Sequence, residues 1–293
     1  MTTLAPETKT DNGLGIILMI AASFVFAVQD GISRHLAAEY NVILIVMFRY
    51  WFFAAFVCWL AHRQSGNIRA VARTDQPILQ ITRGVLLIAE ICVMVTAFVY
   101  LGLVESLAIF TLYPLIIAAL SGPVLGEPVG WRRWLAIGIG FCGVLLIIKP
   151  GPGILSSNAL IALCSAAMFA LYSLLTRYAA RRDSAMTSFF WTGVAGAVAI
   201  TPIGLAYWER IVGIDIFWML LLSVTGVFGH FLLIKCYEQA EAGVVQPFAY
   251  THFVFGASIG ILVFSEYLDI WTGLGAAIVI GAGLFTILRS RTA

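Results

Sequence analysis

The chain states one apolar pattern twice, and each statement fits an odd number of membrane spans. LYPLIIAALSGPVLGEPVGWRRWLAIGIGFCGVLL, around Glu127, is answered 139 residues later by YTHFVFGASIGILVFSEYLDIWTGLGAAIVIGAGL, around Glu266. Each copy runs an apolar helix, a small-residue turn closed by Gly-Glu or Ser-Glu, and a Gly-rich apolar helix. Near the start of each half, SFVFAV (Ser23 to Val28) is answered by AAMFAL (Ala166 to Leu171) at an offset of 143. Five apolar segments fit in each half. A copy of an odd unit must enter the bilayer from the opposite face, so the two halves are predicted to form an inverted repeat.

The spans read from hydropathy are 14–36, 42–61, 77–99, 103–124, 132–148, 156–178, 186–207, 216–238, 242–264 and 271–289. The expected fold is therefore an all-α integral membrane protein of ten transmembrane helices. Hydrophobic residues make up 61% of the chain and charged residues 11%, against roughly 25% charged in a soluble domain. Backbone groups in hydrocarbon need internal partners, and continuous rather than alternating apolar runs select helices over a barrel. Residues 1–13 read as a disordered cytoplasmic tail, 14–148 as the first repeat and 149–293 as the second. The first apolar stretch is too long for a signal h-region and lacks a small-residue cleavage site.

With the amino terminus inside, inside segments hold Lys9, Arg63, Arg69, Arg73, Arg132, Arg133, Arg177, Arg181, Arg182, Arg289 and Arg291. Outside segments hold Arg34, Lys149 and Arg210. Eleven against three is a positive-inside bias that places both termini in the cytoplasm. The net charge of +2 says nothing about nucleic acid, but no basic run interleaved with aromatics stands outside the apolar segments, and no nucleic-acid partner is expected. The five cysteines all lie in apolar stretches without a CxxC and read as small buried hydrophobes. The chain carries no GxxxxGK[ST], HExxH or GxSxG and no His/Cys ligand spacing, so no ATP motor, enzyme, metal or cofactor is expected. The partners expected are the bilayer and a small-molecule substrate, for a monomer or weak dimer.

Ionisable groups in lipid are costly and each one asks for a reason. Glu90, mid-span 3 in LLIAEICVMV, reads either as a proton-coupling or substrate-amine site or as a structural hydrogen bond. His230 and Lys235 share span 8. His230 is a candidate proton carrier or a packing residue, and Lys235 snorkels to the interface. Asp30 and Arg34 stand at i, i+4 and are expected to pair locally. Arg49 in span 2 is expected to pair structurally, with Asp30 a candidate partner, and Arg83 is expected to snorkel at the start of span 3.

Pro114 and Pro247 bend spans 4 and 9. Around them stand Tyr113, Gln246, Tyr250, Thr251 and His252, the best candidates for a midplane binding site. Tyr100 and Tyr172 are further candidates for a cavity wall able to stack on a flat ligand. Small residues in spans 5 and 10 (Gly138, Gly140, Gly143; Gly275, Gly281, Gly283) permit close helix contact and read as a packing or dimer scaffold.

Taken in order, several marks resemble the drug/metabolite transporter superfamily, and within it the ten-helix EamA-type members. They are the doubled five-helix unit, Phe48-Arg49-Tyr50 of span 2, Arg83-Gly84 of span 3, Leu125-Gly126-Glu127 with its echo Phe264-Ser265-Glu266, and the Gly-rich spans 5 and 10. The resemblance implies a secondary transporter in a bacterial inner membrane. Its cavity would be built from spans 1, 3, 4, 6, 8 and 9, with spans 5 and 10 at the periphery. The chain looks like the aromatic and neutral amino acid exporters of YddG type. GHFLLIKCYEQAEAGVVQPFAYTHF is also similar to riboflavin and S-adenosylmethionine carriers. The expected function is outward transport of amino acids by alternating access. Rival readings are a riboflavin or S-adenosylmethionine carrier and, from another class, a multispan membrane enzyme.

Overall fold

The computed structural model describes residues 12–126, 130–148, 157–240, 245 and 248–288. The interhalf link at 149–156, Glu127, Gln246 and Pro247 lie outside the described residues. Among the described residues, all regular structure is helical. The helices are α1 (Asn12–Leu36), α2 (Val42–Ser65), α3 (Ile68–Ala72), α4 (Pro77–Leu101), α5 (Leu103–Phe110) and α6 (Tyr113–Leu125). Then come α7 (Trp131–Ile148), the last helix of the first half, and α8 (Ser157–Ala179), α9 (Ala185–Gly204), α10 (Asp215–Gln239), α11 (Thr251–Phe264) and α12 (Ile270–Leu288) of the second half. Seven segments are long and apolar enough to cross a bilayer, with α5 and α6 together forming one of them. Three shorter apolar helices, within α7, α11 and α12, stand beside them.

Local chemistry sets the helix ends. Asn41 starts α2 by accepting the Ile43 N–H at 2.9 Å, and Gly66, at φ 63°, ends it in the left-handed conformation. Ser184 starts α9 by accepting the Thr187 N–H at 3.0 Å. The predicted bend in span 4 is a full break. Pro114 has no N–H to offer the Phe110 carbonyl, and Thr111 and Leu112 bridge two separate helices. The hydrogen bonds tighten there, with the Leu112 N–H donating three residues back to Ile109 at 3.1 Å.

The Gly-Glu and Ser-Glu turns are left-handed helix ends. Gly126 (φ 74°) closes α6 and Ser265 (φ 53°) closes α11. The turn at Ser265 delivers its glutamate to another helix. The Glu266 carboxylate accepts the backbone N–H of Leu103 at 2.8 Å and of Val104 at 2.7 Å. It thus satisfies orphan donors at the positive end of α5, on a helix remote in sequence. Gly102 (φ 80°) lets the chain turn beneath it, since a Cβ there would lie 2.8 Å from the Glu266 Oε1.

Packing mirrors the sequence repeat. In the first half α1 packs on α10 and α11. Its second-half counterpart, α8, packs on α4 and on α5–α6, the counterparts of α10 and α11. Likewise α2 meets α10 as α9 meets α4, while α2 meets α9 and α7 meets α12. The α7–α12 contact is close because a Cβ on Gly275 would lie 2.5 Å from the Gly143 carbonyl oxygen.

Several expectations need correction: Cys142 and Cys164 are exposed rather than buried, and Arg49 meets His230 rather than Asp30. Arg83 does not snorkel. It is fully buried (0% exposed), its Nε donates to the Thr176 hydroxyl at 3.0 Å, and it also donates to the Gln80 carboxamide oxygen. Its guanidinium lies 5.3 Å from the centre of the Tyr172 ring. Burial between α4 and α8 supplies partners that a lipid-facing arginine would have to seek in water. Nor does Asp30 pair with Arg34, for reasons that belong to the cavity. Lys235 is exposed at a helix end and pairs with Glu238 at 2.6 Å.

Candidate functional site

A half-open cavity, with about 670 Å³ of empty volume that includes space open to solvent, lies between the two halves, lined by α1, α2, α4, α5, α6, α8, α10 and α11. Water-sized molecules can centre on about 60 Å³ of it. One water needs about 10–15 Å³ on that measure, so the space as it stands holds a few waters. The α1 wall is one helical face: Met19, Ser23, Phe26, Asp30 and Ser33 recur at the three- and four-residue spacing of a stripe.

Three polar contacts ring the cavity, and each joins one half of the chain to the other. Asp30 Oδ2 on α1 lies 2.8 Å from His252 Nε2 on α11. Glu90 Oε1 on α4 accepts from the Ser165 hydroxyl on α8 at 2.6 Å. An Arg49 terminal nitrogen on α2 lies 3.4 Å from His230 Nε2 on α10. The Asp30–His252 contact is why Asp30 does not pair with Arg34: one turn further along, Arg34 turns instead toward Glu266, 3.9 Å away.

Between these contacts the wall is aromatic. The break in span 4 presents Phe110 and Tyr113, 5.0 Å apart, and Phe169 of α8 meets them at 5.3 and 5.0 Å. Across the cavity Phe26 stands between His230 (5.1 Å) and His252 (6.3 Å). Arg49 is 2% exposed, and among the described residues the 3.4 Å contact to His230 is its only polar partner. Its Nε meets no acceptor. Gly226 of α10 makes room for it, since a Cβ there would lie 2.6 Å from that Nε.

Of the residues singled out from sequence, Glu90, Tyr113, His230 and His252 line the cavity. Tyr250 lies behind the wall, in a side pocket of about 190 Å³ shared with Tyr113 and His252. Tyr172 sits deeper, stacked under Arg83 and 6.0 Å from Phe169. Thr251 is half-buried and donates to the Phe248 carbonyl at 2.6 Å. Gln246 lies outside the described residues. Tyr100 is not in the cavity: it is 62% exposed and faces a separate opening beside Arg34, Glu105 and Glu266.

Phe26, Phe110 and Phe169 were not among those candidates, yet a signal for them was present. Phe26 and Phe169 hold the same place in SFVFAV and AAMFAL, and both face the cavity. Tyr113 and His252 are likewise separated by the repeat offset of 139 and both line it.

The model of the EamA-like transporter family matches this chain twice, over residues 13–149 and again over 156–288. The chain belongs to the EamA-like transporter family. It is thus a multi-pass membrane transporter of the drug/metabolite superfamily, whose members carry small molecules. An S-adenosylmethionine uptake transporter of Rickettsia prowazekii is 22% identical over 94% of this chain and 93% of its own length. A riboflavin transporter of Vibrio cholerae is 26% identical, with 91% and 90% covered. A pseudopaline exporter of Pseudomonas aeruginosa is 27% identical, with 95% and 96% covered. One solved crystal structure shares the fold, with a TM-score of 0.66 at 15% identity over 96% of this chain and 97% of the other. The family and these relatives are transporters, not enzymes.

Proposed function

We propose that this transporter works by alternating access, with two inverted five-helix repeats closing around the cavity from opposite sides of a bacterial inner membrane. The observation that carries the reading is the trio of contacts Asp30–His252, Glu90–Ser165 and Arg49–His230. Each joins one half to the other, and five of the six residues, all but Ser165, line the same cavity. Motion of one half against the other must break or remake them, which couples opening to what occupies the cavity. Reciprocal helix packing and the double match to one family model support the repeat. The two short helices either side of Thr111–Leu112 supply a flex point. The excess of arginine and lysine on one side supports cytoplasmic termini.

The substrate proposed is a small metabolite carrying charges of both signs and a flat group. Two carboxylates and one arginine supply the charge, two histidines add ring nitrogens for hydrogen bonding, and Phe26, Phe110, Tyr113 and Phe169 supply the stacking surface. The relatives are named for S-adenosylmethionine, riboflavin and pseudopaline, so the aromatic amino acid reading widens to metabolites of the S-adenosylmethionine kind. Tyr113 and His252 are the proposed substrate contacts, with Tyr250 and Tyr172 behind them. Glu90 and His230 are the proposed proton-linked groups. Direction depends on the gradients rather than on the fold.

The test is uptake by purified protein in proteoliposomes. Labelled S-adenosylmethionine, riboflavin, tyrosine and phenylalanine would be offered with and without an imposed pH gradient. Saturable uptake of at least one, lowered by Tyr113→Ala at equal protein yield, is expected. Uptake indifferent to the pH gradient removes the proton-linked roles of Glu90 and His230. Absence of saturable uptake across the panel removes the reading itself.

A further inference from the structure

We infer that Arg49 is the seat for the substrate's carboxylate, so that the carrier selects an acid-bearing zwitterion over the same molecule without its acid. The inference deepens the transport reading and rests on it. A guanidinium 98% removed from solvent is costly unless a counter-ion or several acceptors meet it. Among the described residues the other buried arginine, Arg83, meets most of that cost with a hydroxyl, a carboxamide and an aromatic face, leaving one terminal nitrogen without an acceptor. Arg49 has none of these. Its Nε has no acceptor, and one terminal nitrogen makes a long contact to a histidine that is itself no counter-ion.

The nearby carboxylates are engaged elsewhere, Asp30 with His252 and Glu90 with Ser165. Yet Arg49 lines the cavity, and Gly226 leaves the space that holds it there. A planar fork of donors beside a solvent-sized void is the arrangement that takes a carboxylate through two parallel hydrogen bonds. The bonds to Ser165 and His252 leave further acceptor capacity on Glu90 and Asp30, which line the same void and suit the ammonium or sulfonium end of the same molecule. The acid then sits toward α2 and α10, and the flat group lies among the aromatics of α5, α6 and α8.

The experiment offers acid and amine pairs to the purified carrier in proteoliposomes: S-adenosylmethionine against its decarboxylated form, tyrosine against tyramine, and phenylalanine against phenethylamine. Riboflavin serves as a carboxylate-free control. A charge-assisted bidentate contact predicts at least about a tenfold preference for the acid of whichever pair is carried. Arg49→Gln should erase that preference by weakening the acid and changing the amine less than about twofold. Arg49→Lys keeps the charge and loses the fork, and should fall between. Should Arg49→Gln fail to fold, the wild-type preference and Arg49→Lys decide the matter alone. A carrier that moves acid and amine alike, or riboflavin as well as the acids, keeps the transport reading and overturns this seat. A carrier that moves nothing in the panel overturns both.

Discussion

Adding one methyl group to α10 separates the site from the fold. In Gly226→Ala the new Cβ would sit 2.6 Å from Arg49 Nε, where ordinary contact begins near 3.4 Å. The guanidinium must therefore withdraw by about 0.8 Å, into or across the cavity wall. Folding should absorb this. Overpacking costs about 1–3 kcal/mol, but alanine in a helix interior recovers about 0.5–1 kcal/mol over glycine, and the atom that must move is the end of a long side chain. Binding should not absorb it, because misplacing a positioning group by about 1 Å is worth up to about a hundredfold. The assay is counterflow kinetics in proteoliposomes with whichever labelled zwitterion of the panel the wild type carries, with yield and monodispersity measured alongside. The expected result is near-normal yield with KM raised about tenfold. Gly138→Ala, whose Cβ would meet nothing within 4 Å, is the control and should behave as wild type. An unchanged KM in Gly226→Ala would refute the claim that the arginine's position matters.

Three other contacts give outcomes of their own. Glu266→Ala removes two charge-assisted bonds to the N-terminus of α5. Each is worth about 1.5–3 kcal/mol when buried and less at this partly exposed position, so a loss of about 2–4 kcal/mol should appear as a clear fall in melting temperature in detergent. Arg83→Gln withdraws the donors from the Thr176 hydroxyl and the Gln80 carboxamide oxygen and should cost about 1–3 kcal/mol with reduced yield. An arginine that merely snorkelled would lose almost nothing. For Asp30→Asn and His252→Gln, a double-mutant cycle on melting temperature should return a coupling of about 0.5–3 kcal/mol, and additive effects would mean that the 2.8 Å contact does not join the halves.

The membrane class and most helix positions were legible because they depend on one-dimensional patterns. Apolar runs, the Gly-Glu and Ser-Glu turns and Pro114 all announce themselves locally. Side-chain partners were not legible, because they depend on which helices meet. Asp30 looked paired to Arg34 on spacing alone, yet His252, 222 residues away, is its neighbour. Arg83 looked interfacial from its place in the span, yet α8 covers it with Thr176 and Tyr172. Glu266 carried a motif whose purpose appears only when the N-terminus of α5 is brought beneath it. Of the cavity, Glu90, Tyr113, His230 and His252 stood out as polar groups in apolar runs. Phe26, Phe110 and Phe169 did not, because an aromatic in a membrane helix is ordinary until its face is known.

A reversible tether between α1 and α11 reaches the alternating-access claim most directly. With the five native cysteines replaced by serine, Phe24→Cys on α1 and Phe255→Cys on α11, whose rings meet at 5.4 Å outside the cavity lining, would be joined by a short thiol cross-linker and the protein assayed for counterflow of a substrate that the wild type carries. The account predicts that cross-linking stops counterflow and that cleaving the linker restores it, while either single cysteine variant is unaffected by the reagent. Full counterflow through the cross-linked protein would contradict it.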